Sequence, residues 1–404
     1  MDILSAAFAA FWTFIGVIFL HNALFAVLGL FETRRFPKSE TLGRYAVIIG
    51  ARNEERVIGE LIDSIKNADY PQEKLDIFVI AHNCTDATAK RARERGAAVI
   101  EYDNPLERTV GYAYRRAFQV IPRGYDGYFV INADNTVSEK FFRKMNDAFF
   151  ALGKRAIVTS FRNAKNFGEN TLSCLYGLFF ISSCRLEARG RSLLGTSVRV
   201  SGTGYLMPPE VTERGWEYTS ITEDWELTAA EIARGREITY CDEAEFFDEQ
   251  PTAIKTMLAQ RLRWAKGHLA VFSTRFLSLF RGIAKVKSIR RRFSCFDCAS
   301  ALTPAGIICT LALALEMILR GMTPALIAGI TAGYAVGVVT ACAVFMLEKR
   351  RVRGVGARVK LAAIVLWPFF FGLNALFDIA ALSRKRVEWV PIPHGREKDS
   401  PPPK

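Results

Sequence analysis

Four long apolar runs frame this chain, Ala6–Phe31, Cys298–Leu319, Pro324–Leu347 and Leu361–Leu382. Each is long enough to cross the ~30 Å of bilayer hydrocarbon as a helix. Half of the 404 residues are hydrophobic while 24% are charged, and the two populations are segregated, which favours membrane spans around a soluble middle. Arg34, Arg35 and Lys38 follow the first run, and Lys285–Arg292 and Lys349–Lys360 flank the later ones. Much of the net charge of +13 thus lies beside apolar runs, where it sets topology and meets lipid headgroups. That reading leaves no need for a nucleic-acid partner and puts the middle domain on the cytoplasmic face of the cell membrane. Only Asp2 precedes the first run, so it reads as an anchor rather than a signal peptide.

The expected organisation is a transmembrane helix over 1–32, a catalytic domain over 41–250, interfacial helices over 251–295, about three spans over 296–383, and a tail over 384–404. Pro368, Asn374 and Asp378 interrupt the last run. If all four runs cross, the tail ends opposite the catalytic domain, against the pull of Arg384, Lys385 and Arg386. Either that bias is overridden or the last run re-enters. Trp389 and His394 in the tail are candidates to fold back on the catalytic mouth. Cys295 and Cys298 have C-x-x-C spacing, but no second pair or nearby His completes a metal site; the spacing reads as coincidence in a reduced compartment.

Between residues 44 and 250 strand-like and helix-like segments alternate. Tyr45–Ile49, Leu75–Ala81, Ala97–Glu101 and Gly127–Ile131 are short apolar runs of β-branched and aromatic type, followed by helix-like Glu54–Lys66, Asp86–Arg95, Thr109–Val120 and Ser138–Leu152. The alternation predicts an α/β domain with a mostly parallel sheet. In such sheets ligands bind beyond the carboxyl ends of the strands.

Those ends are polar. The first carries Asn53 and Glu54, the second His82, Asn83 and Asp86, the fourth Asn132, Ala133, Asp134 and Asn135. Amides and carboxylates so placed suit the base and ribose of a nucleotide, and a carboxylate suits a divalent metal. Helix capping by Asn53, Thr85 and Asn135 is the competing reading. The chain has neither a G-x-G-x-x-G nor a Walker loop, so a bound diphosphate must be neutralised by metal and basic side chains. Downstream, Thr222-Glu223-Asp224 opens a helical stretch. Its acids could serve as general base or simply favour the helix dipole. Gln260-Arg261-Leu262-Arg263-Trp264 lies in an amphipathic stretch, Thr252–Phe272, that puts Gln260, Arg263 and Trp264 on one face at i, i+3 and i+4. That face offers an amide, a guanidinium suited to diphosphate and an indole suited to a pyranose; an interfacial anchor is the plainer alternative.

In this order the motifs resemble the membrane-integrated, inverting family 2 glycosyltransferases of the processive kind, such as cellulose, chitin and hyaluronan synthases. Gln260–Trp264 fits the Q-(Q/R)-x-R-W pattern, Thr222–Asp224 fits T-E-D, and Ser201-Gly202-Thr203-Gly204 resembles the acceptor loop. The resemblance implies a GT-A-like cytoplasmic domain that uses a UDP-sugar, with Mg2+ or Mn2+ held by Asp134, and elongates a glycan acceptor. It makes Asp224 the base beside Glu223, and Arg263 the aid to the departing diphosphate. Trp264, Gln260, Gly202, Thr203 and Gly204 become acceptor contacts, and Asn53, Glu54, Asn83, Asp86, Asn132, Ala133 and Asp134 donor contacts. Asn132, His82 and Val110 depart from the family pattern, and Arg108 stands near enough in sequence to replace the Lys missing at Val110. The leading expectation is a processive polysaccharide synthase. The alternatives are a single transfer to a lipid-linked acceptor and an inactive family member with a scaffold role. Neither the sugar nor the oligomeric state can be read from these residues.

Overall fold

A computed structural model describes residues 3–383; the tail that carries Trp389 and His394 lies outside them. The apolar runs of the middle domain become strands β1 (Tyr45–Ala51), β2 (Leu75–His82), β3 (Ala98–Tyr102) and β4 (Gly127–Val130). These alternate with helices α2 (Ile58–Lys66), α3 (Thr88–Glu94), α4 (Val110–Val120) and α5 (Phe141–Ala151). Both faces of β1 are covered. Tyr45, Val47 and Ile49 pack with Leu61 and Ile65 of α2 and Phe142 of α5, while Ala46 and Ile48 pack with Ala113 and Tyr114 of α4. Burial on both faces is why β1 reads as an unbroken apolar run.

The sheet continues through β5 (Thr136–Val137), β6 (Ile157–Ala164), β7 (Tyr205–Met207) and β8 (Ile238–Asp248), in the order β3-β2-β1-β4-β7-β6-β8-β5. The four sequence-legible strands are parallel to one another, as are β6 and β8; β7 runs antiparallel to both β4 and β6, and β5 antiparallel to β8. Helix α6 (Thr171–Ser182) follows β6, passes through a π-helical turn at Ser183–Ala188, and runs into α7 (Arg189–Leu193). Helix α8 (Glu223–Ala233) precedes β8, and α9 (Ile254–Lys285) is longer than the amphipathic stretch expected there.

Helices α1 (Ile3–Phe31), α12 (Pro324–Leu347) and α13 (Ala357–Ser383) are long and apolar enough to cross a membrane. The second apolar run is not one straight helix. It divides into α10 (Ile289–Leu302) and α11 (Ala305–Arg320), bent by 52°, because Pro304 lacks the N–H that would continue α10. Counted as one span, the pair makes four.

Buried ion pairs hold these helices to the sheet. Arg191 pairs with Asp297 of α10 at 2.8 Å and donates to Asn22 of α1 at 2.6 Å, while His21 of α1 also contacts Asp297 at 2.9 Å. Arg185 meets Glu348, just after α12, at 2.5 Å and donates to the Leu30 carbonyl. Arg189 joins Glu348 to Asp242 of β8. The backbones cross closely: a Cβ on Gly29 would lie 2.1 Å from the Arg185 carbonyl oxygen, and one on Gly190 2.1 Å from that of Phe25. Cys295 and Cys298 are free and buried in α10, consistent with a packing role. Removing one partner of a buried ion pair strands the other charge and costs about 3–5 kcal/mol. Arg191→Ala should therefore lower the thermal unfolding midpoint in detergent clearly below wild type, and an unchanged midpoint would show that the cluster does not hold the helices.

Candidate active site

The carboxyl ends of β1, β2 and β4 open into a cavity of about 1110 Å³ that also runs beneath α8 and α9. Arg52, His82, Arg108 and Val110 line the end of it nearest β1 and β2, and Glu54, Asn132, Ala133 and Asp134 follow. Gly202, Glu223, Asp224, Gln260, Arg263 and Trp264 line the next stretch. Three separate motifs thus converge on one space.

Not every expected residue reaches it. Asn53, Asn83 and Asp86 are absent from the wall, and their side chains hold the loops in place. Asn53, at φ 57°, accepts from the Thr85 N–H at 2.8 Å. Asn83, at φ 52°, exchanges hydrogen bonds with Asn104 and donates to the Glu107 carbonyl. Asp86 accepts from Thr88 and from the Glu55 N–H. The capping reading fails as well. Helices α2 and α3 begin after Val57 and Ala87, and Asn135 accepts from Thr203 instead of capping a helix. Thr222 does stand at the cap position of α8 but makes no capping bond with its side chain.

The acceptor-like loop divides its labour. Thr203 is buried, accepts from the Asn132 N–H at 2.8 Å and donates to Asn135 at 2.6 Å, so it ties the loop to the end of β4. Gly204 adopts φ +68° under the Phe246 ring, where a Cβ would sit 2.4 Å from a ring carbon. Gly202 faces Asp224, and a Cβ there would lie 3.8 Å from its Oδ2.

The electrostatics separate two neighbouring acids. Burial raises Glu223 far above its ordinary range, and the adjacent Asp224 raises it further. Asp224 is raised too by burial, but the Trp225 backbone N–H, Arg162 and Arg263 all favour its ionised form. Arg263 favours ionisation of both acids, whereas the Trp225 N–H and Arg162 act on Asp224, which is therefore the more readily ionised of the two. Arg162, which no motif singled out, is held by Asp248 at 2.7 Å, by the Ser201 carbonyl at 3.1 Å and by the Phe180 ring. Arg263 makes no hydrogen bond among the described residues, and the Gln260 Oε1 is buried without a partner. Both line the cavity with hydrogen-bonding capacity unused. Trp264 leans edge-on against Tyr176 and Phe180. A second wall aromatic, Trp225, packs on His268 and under Arg199; burial and Arg199 push His268 down to about 4, so its imidazole is neutral.

At the other end, burial and the charges of Asp134, Asp86 and Glu249 push Glu54 up to about 9. Such crowding of acids fits a bound cation. Asp134 accepts from Asn135 at 3.0 Å, and no group of three metal-ligating side chains exists among the described residues. Asp134 would supply a single ligand, leaving the rest of a Mg2+ or Mn2+ shell to phosphate oxygens and water, as is usual for Mg2+ at nucleotides. His82 is pushed down to about 4 by burial and Arg52 and is a neutral ring stacked on Tyr102.

The fold is of the GT-A type. Residues 43–267 match the family described as "Glycosyltransferase like family 2", more than half of the chain, and the protein belongs to that family. It is 27% identical over 266 residues to "Probable glycosyltransferase YdaM" of Bacillus subtilis (strain 168), covering 61% of each chain. The chain thus spans under two thirds of that relative. A 76-residue stretch is 38% identical to the 4,4'-diaponeurosporenoate glycosyltransferase of Staphylococcus aureus (strain USA300), covering 18% of this chain and 20% of that one. The mannosyltransferase PcManGT of Pyrobaculum calidifontis, solved with GDP-Man and Mn2+, superposes with a TM-score of 0.60 at 17% identity, covering 89% of this chain and 96% of that one. That likeness is one of fold.

If Asp224 must be ionised to act, activity falls as pH drops through its pKa, and burial places that fall above the ~4 of an exposed aspartate. The acid limb of kcat/KM should therefore lie clearly above that value. A profile flat down to pH 4 would contradict the assignment.

Proposed function

We propose that this protein transfers a sugar from a nucleoside-diphosphate donor, UDP-linked by the resemblance, to a hydroxyl of an acceptor drawn from the membrane, with inversion at the anomeric carbon. The observation that carries this reading is the continuity of the cavity. It runs from Asp134 past Asp224 and on to residues of α1, α11 and α13, among them Phe19, Gly306 and Asp378. The catalytic domain lies on the cytoplasmic side of the cell membrane, and α9 lies at the surface.

Asp224 accepts the acceptor hydroxyl proton as the oxygen attacks the anomeric carbon and the bond to the diphosphate breaks. Glu223, kept neutral beside it, avoids a second buried charge. Arg263, with no hydrogen bond of its own, takes up charge developing on the diphosphate. Gln260 and Trp264 orient the acceptor ring, and Asn132 holds the donor near the position of Asp134. A divalent cation at Asp134 supplies Lewis-acid stabilisation of the leaving group when bound.

Processive synthesis with translocation, as in a capsule or exopolysaccharide synthase, is the second reading, and the complete Gln260–Trp264 pattern favours it. The test is nucleotide release by the purified protein with a panel of nucleotide sugars and Mg2+ or Mn2+, with product size measured. Release of the nucleotide with a low-mass amphiphilic product fits the leading reading, and a high-mass, glycosidase-sensitive product the second. No release with any donor contradicts both. Asp134→Ala should lose metal-dependent donor affinity by roughly tenfold or more, and an unchanged metal titration would reject Asp134 as the ligand.

A further inference from the structure

The part of the cavity farthest from the nucleotide end is bounded by helices that are otherwise apolar, yet it is not itself apolar. It is bounded by Phe19 of α1, by Thr303 and Gly306 at the bend between α10 and α11, and by Phe371, Asn374 and Asp378 of α13. Asp378 has no hydrogen bond or ion pair among the described residues, although it belongs to a helix long and apolar enough to cross a membrane. A lone carboxylate in such a helix is costly and marks a binding site more often than a packing role. It sits against the start of α11, where a Cβ on Gly306 would lie 3.4 Å from its Oδ2 and 3.2 Å from the Ala375 Cβ.

The charge balance of this arm discriminates between ligands. Three arginines border it, and all are engaged. Arg199 pairs with Glu187 at 2.7 Å. Arg191 is taken up by Asp297. Arg261 is 2% exposed, donates to the Phe370 carbonyl at 2.9 Å and to Asn374 at 3.1 Å, and lies 3.8 Å from the Phe370 ring centroid. Its Nε and Nη2 have no hydrogen-bond partner, but they are enclosed with the guanidinium among the Tyr176, Phe179 and Phe370 rings. An anionic headgroup entering here would meet the Asp378 carboxylate before any open cation. A neutral headgroup with hydroxyls would instead donate to it.

We propose that this arm is the acceptor subsite and takes an uncharged, hydroxyl-bearing headgroup of a membrane amphiphile, with Asp378 accepting a hydrogen bond from it and the reactive hydroxyl reaching Asp224. This rests on the transferase reading above and narrows its acceptor to neutral polyol lipids, against phosphate-linked carriers. Asp378 is a positioning residue, since it is set apart from the reacting atoms.

The test uses the full chain in neutral-lipid nanodiscs with the nucleotide sugar that it cleaves, offering dodecyl glucoside or undecaprenyl phosphate as acceptor. Wild type should transfer to the glucoside and not to the phosphate. Asp378→Ala should raise the KM for the glucoside about tenfold or more, the scale of a lost hydrogen bond to a charged group. Its donor KM, its donor hydrolysis by water and its thermal shift with nucleoside diphosphate should stay at wild-type values, which also shows that the variant folds. Asp378→Asn, which keeps an accepting oxygen, should recover part of the loss. Transfer to the phosphate alone, or an unchanged glucoside KM in Asp378→Ala, would overturn the proposal while leaving the transferase reading intact. Absence of donor cleavage by wild type, with either acceptor or water, would remove both.

Discussion

The arginines of one short helical stretch, Arg185, Arg189 and Arg191, hold this structure in register. Each is buried, and each points to a different neighbour: Glu348 beyond α12, Asp242 on β8, and Asp297 on α10. Charges taken out of water are worth keeping only when well paired, so the geometry tolerates little sliding. Because α1 crosses this stretch with backbone contact at Gly29 and Gly190, the sheet and the apolar helices cannot shift independently. The cavity needs that rigidity, since the sheet supplies one wall and the apolar helices the other.

A second constraint acts at the centre. Two adjacent buried acids cannot both stay charged, and the surroundings decide between them. Arg162, clamped by Asp248 and the Ser201 carbonyl, and the Trp225 N–H favour charge on Asp224, whereas Arg263 favours it on either acid. Position in the cavity and charge state thus coincide on one residue, which faces Gly202 of the acceptor-like loop.

Much of the fold was legible because double-sided burial leaves a plain signature. Tyr45–Ile49 is apolar throughout and Leu75–Ala81 is apolar apart from Asp76, and the structure extends them by only a residue or two. β8 was not legible because its buried Thr239, Asp242 and Asp248 are polar and break the pattern; they serve as partners of arginines that lie far away in sequence. β7 has three residues, too few to carry a period. The bend at Thr303–Pro304 was visible in principle, since proline ends a helix, but the run around it is apolar enough to read as continuous. At the site, the motif residues Asp134, Asp224, Arg263 and Trp264 converge as expected, whereas Asn83 and Asp86 are consumed by loop hydrogen bonds. Local sequence cannot reveal which of several adjacent polar groups folding will use for its own turns. Arg162, Trp225 and His268 belong to no motif, and only the tertiary structure brings them to the cavity wall.

The central claim is that Asp224 takes the acceptor proton while the donor is held elsewhere in the same cavity. Its most direct test is Asp224→Asn, which keeps size and hydrogen-bonding capacity but cannot act as the base. Donor affinity, measured by nucleotide-sugar titration with Mn2+, should stay within about twofold of wild type, while transfer falls by at least about a hundredfold. Transfer near the wild-type rate in that variant would contradict the account.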